Sequence, residues 1–242
     1  MHPLDGANLK IIRAKDQIEA FYREITLFWE SEPKPCEIIE ESYSKKPNYA
    51  FRVQSNREPP REWGLIVGEI TYNLRSALDH LAWQLALLGT NNPSRRTEFP
   101  IFNSDIDFRG GARRKMINIP VNIHPVIESL QPYNKGNWPP VECLWWLHEI
   151  NRVDKHREIV PCFTQSIAKF SNMSGVYRPS KRLSDGEVIT FTLLKGTTKA
   201  QVGAEIAFDI PTFEYPFPAS RLAGIHKFVS EEVIPRFEVF FH

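Results

Sequence analysis

The sequence predicts an α+β fold: long antiparallel helices with a β-ribbon insertion, packed with a C-terminal antiparallel sheet and a closing helix. Three observations predict it. A long apolar stripe on helical spacing runs between Pro59-Pro60 and Gly89; after Arg157 the pattern turns to short alternating, β-branched stretches; helical spacing returns near Ala219. Repeats of about 3.6 and 2 residues are what amphipathic helices and half-buried strands require.

From about Leu9 to Trp29, the residues Leu9, Ile12, Ile18, Phe21, Ile25 and Phe28 keep mostly three- and four-residue steps. This predicts an amphipathic helix with Lys10, Arg13, Lys15 and Glu19 toward water. Pro33 and Pro35 end it. Glu37–Glu40 and Asn48–Val53, separated by Ser44-Lys45-Lys46-Pro47, read as two strands and a turn. The second helix opens at Pro59-Pro60 and closes at Gly89, carrying Val67, Ile70, Leu74, Leu78, Leu81, Leu85 and Leu88 inward. Prolines and glycines punctuate Asn91 to Pro140, leaving room for short helices at Phe108–Met116 and Pro125–Leu130. A third substantial helix follows at about Val141–Val153. Strands are expected in Ile159–Phe170, Val188–Leu194 and Ala204–Ile210, with turns at Ser184-Asp185-Gly186 and Lys195-Gly196. The β-ribbon is free to join their sheet. Leu222, Ile225, Val229 and Val233 mark the buried side of the closing helix, about Ala219 to Val233. One domain over 1–242 is expected, with a helical part to about 157 and a β-rich part from 158.

With 242 residues the chain can bury a sizeable core, and its net charge of +1 gives no global pull toward nucleic acid or anionic lipid. A nucleic-acid role therefore needs a local basic patch. No stretch approaches the roughly 18 apolar residues of a membrane span. The start, Met1 to Gly6, lacks a basic region followed by an apolar run, so no secretory signal is expected. Cys36, Cys143 and Cys162 are far apart and show no Cys-x-x-Cys spacing, which argues for reduced, packed thiols and a cytoplasmic setting. No cofactor and no metal site is expected. His148-Glu149-Ile150-Asn151-Arg152 is not a zinc-protease motif, because a guanidinium stands where the second histidine ligand would be.

The second helix carries the polar run Asn73-Leu74-Arg75-Ser76-Ala77-Leu78-Asp79-His80. Later come Phe99-Pro100-Ile101, Gln131-Pro132-Tyr133 and Asp154-Lys155-His156-Arg157. In this order the segments resemble a group of uncharacterised bacterial and phage proteins, over about Leu9 to Arg157. More distantly, Arg75 and His80 resemble the Arg…His pair of the HEPN superfamily. That resemblance implies metal-independent RNA cleavage by a homodimer in a stress or phage-defence setting. His80 would move a proton to or from the ribose and leaving oxygens, and Arg75 would hold the phosphate. Against the superfamily's pattern, Ser76 replaces the amide or acid that often follows the arginine, and the motif falls early in the chain.

Helical geometry separates the pair. At about 100° per residue, Arg75 and His80 lie roughly 140° apart, Arg75 beside Asp79 and His80 beside Asn73. Three readings follow. The candidate catalytic residues are Arg75 and His80, with Asn73, Asp79, Asp154, Lys155, His156 and Arg157 as binding residues for RNA or a nucleotide. Alternatively, the same polar face belongs to a non-catalytic module that binds a nucleotide, nucleic acid or protein. In the third, Arg75–Asp79 is a helix ion pair, and Lys155, His156 and Arg157 compensate a helix C-terminus. Arg113, Arg114 and Lys115, after Gly110-Gly111, would extend a basic patch. Trp138, Trp145, Trp146 and Phe170 could stack on bases, though such aromatics more often fill a core.

Overall fold

The computed structural model describes residues 2–41, 48–134, 141–166, 169–170, 181–192 and 200–241. The expected turns at Ser44–Pro47 and Lys195-Gly196, and Trp138, lie outside these residues. Along the chain come α1 (Asp5–Glu30), β1 (Cys36–Glu40), β2 (Asn48–Ser55), α2 (Trp63–Leu87), α3 (Asp105–Lys115), α4 (His124–Ser129) and α5 (Val141–Asp154). There follow β3 (Val160–Gln165), β4 (Lys169–Phe170), β5 (Val188–Thr192), β6 (Ala200–Gln201), β7 (Ala204–Asp209), β8 (Phe217–Pro218), α6 (Leu222–Lys227) and α7 (Pro235–Glu238). The fold is α+β. Among the described residues no helix is long and apolar enough to cross a membrane.

Two compact units form. One joins Met1–Ala20, Ile66–Arg157 and Arg221–His242; the other joins Phe21–Leu65 and Glu158–Ser220. The cut after Arg157 falls where the sequence pattern changes from helical to alternating.

In the first unit the two long helices run antiparallel, as contacts from Gly6 to His80, Lys10 to Asn73 and Gln17 to Glu69 require. Val67, Ile70, Leu74, Leu78, Leu81 and Leu85 are fully buried, as the stripe predicts. Leu88 is not: it lies past the last helical residue and is 46% exposed. The buried face of α1 also differs from expectation. Leu4, Ala7, Ile11, Ala14 and Ile18 point inward, while Leu9 and Ile12 face water. The inward set has steps of three and four throughout, but two of its members are alanines, so the larger outward residues dominate the sequence pattern. Gly89 ends α2 without a left-handed backbone. Its Cβ position is filled by the Asn118 carbonyl, so close approach rather than positive φ calls for glycine. Gly110-Gly111 lies inside α3, with Gly111 under the Phe102 ring. The closing helix is segmented: a 3₁₀ turn at Ala219–Arg221, α6, a π-helical stretch at Phe228–Val233 and α7. Leu222, Ile225, Val229 and Val233 are buried along it.

In the second unit the strands divide between sheets. β1-β2-β5 form one and β3-β7-β8 another, all antiparallel, with a small β4-β6 pair besides. The ribbon therefore takes β5, with Phe51 opposite Ile189, while β3 and β7 pair Cys162 with Ala207. At the Ser184–Glu187 turn Gly186 has φ +75°, which a side chain would resist. Aromatic edges build this core: Trp63 meets Phe21 at 5.5 Å and Phe28 at 5.1 Å between ring centres. Cys36, Cys143 and Cys162 are free and buried, and burial raises their thiols to about 11, 11 and 12.

Candidate functional site

α2 carries two polar flanks beside its apolar stripe, and they do different things. On one flank Arg75 is 6% exposed. Its guanidinium donates to both Asp79 oxygens, at 3.2 and 2.8 Å, to the Phe99 carbonyl at 2.7 Å and to Glu98 at 3.4 Å. Asp79 accepts in turn from the Phe99 amide at 2.9 Å, and Glu98 pairs with Lys115 at 2.9 Å. Arg75 Nη1 is buried and has no hydrogen-bond partner among the described residues. The Asp79 carboxyl is raised: burial outweighs the opposing pull of Arg75 and the Phe99 amide.

The segment that Arg75 and Asp79 grip continues to Phe102, and Gln131 holds its other end. Gln131 is wholly buried; its amide donates to Pro100 and Ile127 carbonyls at 2.9 and 3.1 Å and accepts from the Phe102 amide at 3.0 Å. Pro100 has no N–H and keeps Phe99 extended, so this segment cannot join a helix and would leave its polar groups stranded. Side chains supply what a ladder would have supplied. Arg75, Asp79, the Phe-Pro-Ile segment and the Gln-Pro-Tyr turn are thus one hydrogen-bonded assembly.

His148 of α5 borders the same cluster. Burial, then the Arg75 and Lys115 cations, bring its imidazole from the usual 6.5 down to about 4. Between those values the unfolded chain binds more protons than the folded one, so stability is lost as pH falls from about 6.5 toward 4. Asp79 and Asp154, both raised, act with the opposite sign, since acid protonates them more readily in the fold. We expect a net loss on the order of 2 kcal/mol across that window, largely absent in His148→Leu. Urea unfolding at four pH values checks this, and equal slopes in the two proteins would exclude His148 as the cause.

The other flank faces α1. Asn73 accepts from Lys10 at 3.2 Å and donates to Gln17 at 2.8 Å, which in turn donates to Glu69 at 3.0 Å. His80 is exposed, and its Nδ1 lies 3.0 Å from where a Cβ on Gly6 would stand. Here a cleft of about 700 Å³ opens. Asp79, His80, Trp83 and Gln84 line it from α2, His2, Pro3 and Gly6 from the start of the chain, and Thr97 from the loop after α2. The Thr97 hydroxyl is buried and has no hydrogen-bond partner among the described residues. Trp83 is 38% exposed, offering ring surface to the cleft.

Arg75 does not line this cleft; Asp79 bridges the two flanks, touching Arg75 and the cleft together. The second polar run lies elsewhere. Asp154 packs against Gly68, where no Cβ would fit, roughly 10 Å along α2 from Arg75 and 18 Å from His80 at about 1.5 Å per residue. Burial, then Glu69, raises the Asp154 carboxyl against the pull of Lys155. Lys155, His156 and Arg157 are exposed beyond the end of α5. Arg152 pairs with Glu149 at 2.7 Å. Trp146 lies beneath the Arg221 guanidinium at 4.6 Å, and Trp145 beside the His148 ring at 5.9 Å. Among the described residues no group of three or more His, Cys, Asp or Glu is placed to hold a metal ion.

Sequence reasoning missed His2, Trp83, Gln84 and Thr97. Trp83 and Gln84 had a signal, since they stand three and four residues beyond His80 on the same polar flank; His2 and Thr97 arrive through tertiary structure and had none. None of the family models, curated proteins or solved structures compared with the chain matches it.

Proposed function

We propose that this chain is a binding module whose cleft takes a planar, hydrogen-bonding heterocycle of the nucleobase type. The single observation that carries this reading is the lining of the cleft. Trp83 supplies a ring face, while Asp79, Gln84, Thr97 and His80 supply a carboxylate, an amide, a hydroxyl and an imidazole around it. Such a set recognises the edge of a heterocycle by donor and acceptor pattern and its face by stacking. Phosphodiester cleavage by the Arg75 and His80 pair asks for something further, a guanidinium that reaches the phosphate beside the imidazole. Among the described residues no Lys or Arg lines the cleft, and the Arg75 fork is engaged by two carboxylates and a carbonyl. Three free, unpaired thiols accord with a cytoplasmic setting.

The rival, a metal-independent ribonuclease using Arg75 and His80, keeps one favourable observation: the His80 imidazole opens on the cleft. Titration of nucleosides followed by NMR tests both. We expect binding to the wild type, weakened about tenfold by Trp83→Ala as a stacking surface is lost, and blocked by Gly6→Leu, whose side chain would fill the space beside His80. Single-stranded RNA incubated with protein and chelator should stay intact. Nucleosides that ignore both substitutions sink the binding reading; RNA cutting that His80→Ala abolishes establishes the rival.

A further inference from the structure

Thr97 on the cleft wall directly follows Arg95 and Arg96, and that stretch is pinned to the end of α3. The Ser94 amide donates to the Asn118 side chain at 2.8 Å, and the Glu98 amide to the Lys115 carbonyl at 3.3 Å. Two chain segments are thereby laid side by side, and each brings a pair of exposed arginines: Arg95 and Arg96 from one, Arg113 and Arg114 from the other. Among the described residues none of the four has an ion-pair partner. Glu98, two residues after Arg96, is already engaged by Lys115 and Arg75. Compensation of the α3 C-terminus accounts for Arg113 and Arg114, but Arg95 and Arg96 have no helix end to serve. In a protein of net charge +1 this is a concentrated positive edge, and it begins at the rim of the cleft.

We infer that the ligand is a single-stranded nucleic acid: one base enters the cleft and the adjoining phosphates run along Arg95, Arg96, Arg113 and Arg114. The inference rests on the nucleobase reading of the cleft and adds to it the polyanion that the arginine edge attracts. A single strand fits because its bases are free to leave the stack, whereas a duplex hides the edges that Asp79 and Gln84 would meet. Guanidinium forks suit phosphate oxygens, and the strand's released counterions make such binding depend on salt.

The test is fluorescence anisotropy with a labelled ten-nucleotide single-stranded RNA, set beside a free nucleoside, which carries no phosphate and reads the cleft alone. For four phosphate contacts the slope of log K against log salt is about −3, so raising salt from 50 to 200 mM should weaken RNA binding about 50-fold. Changing all four arginines to glutamine should bring that slope near zero. Trp83→Ala should weaken RNA and nucleoside alike and leave the RNA slope in place. A matched duplex should bind at least tenfold more weakly than the strand. RNA that binds no tighter than the nucleoside, or whose slope is unmoved by the four substitutions, overturns the arginine edge while the cleft reading stands. Nucleoside that fails to bind at all overturns the cleft reading on its own, and duplex binding equal to that of the strand overturns the single-strand assignment.

Discussion

Arg75→Met is expected to lower the unfolding free energy by about 3 kcal/mol or more, read as a shift of the urea midpoint at neutral pH. The size follows from what the substitution strands. Without the guanidinium, Asp79 loses both of its bonds to the fork, and the Phe99 carbonyl loses its 2.7 Å donor. Removing one partner of a buried pair leaves the other desolvated and uncompensated, which costs more than the pair ever contributed. Water moderates the effect: the side chains of Asp79 and Glu98 are 35% and 44% exposed, which keeps the estimate at the low end of the buried range. Arg75→Lys should restore part of the loss, since it keeps the charge but lacks the planar fork that meets a carboxylate and a carbonyl together. A loss below about 1 kcal/mol would mark Arg75 as an ordinary surface residue and remove the clamp from the account.

Gln131→Leu is expected to cost about 3 kcal/mol, although leucine fills a similar volume and should leave little cavity. The amide makes three hydrogen bonds in a site closed to water, to Pro100, Ile127 and Phe102. Its removal leaves the Phe102 amide and the Pro100 carbonyl without that partner, at about 1 kcal/mol or more each. Because Arg75 and Gln131 hold adjacent parts of one segment, the double variant should cost less than the sum of the two singles. Coupling of about 0.5–3 kcal/mol is the usual signature of residues in one network. Strict additivity would show that the segment's two ends are held independently.

Much of the architecture could be read from the chain. The stripe from Val67 to Leu85 named the buried face of α2 residue by residue, because a long helix repeats its signal six times over. The switch to alternation after Arg157 located the strands, but not which strand takes which neighbour: β5 joins the ribbon rather than β7, a choice made by tertiary packing. On α1 large outward residues outweighed small inward ones, since Ala7 and Ala14 bury little area yet permit close approach. The candidate site was legible in part. The angular separation of Arg75 and His80 follows from helix geometry alone, and the two residues do occupy opposite flanks. That Arg75 would be consumed by the Phe-Pro-Ile segment needed knowledge of a loop held by side chains, for which no periodicity exists. The cleft drew His2 and Thr97 from segments with no pattern to read.

The stretch from Phe99 to Phe102 belongs to neither helix nor sheet, yet its amide protons at both ends point at side-chain oxygens, the half-buried carboxylate of Asp79 and the buried amide of Gln131. Deuterium should enter those two positions slowly, while Arg96, whose amide meets only an exposed serine hydroxyl, should exchange soon after mixing. The wall beside Thr97 therefore passes within a few residues from an amide that solvent reaches to amides that side chains shield.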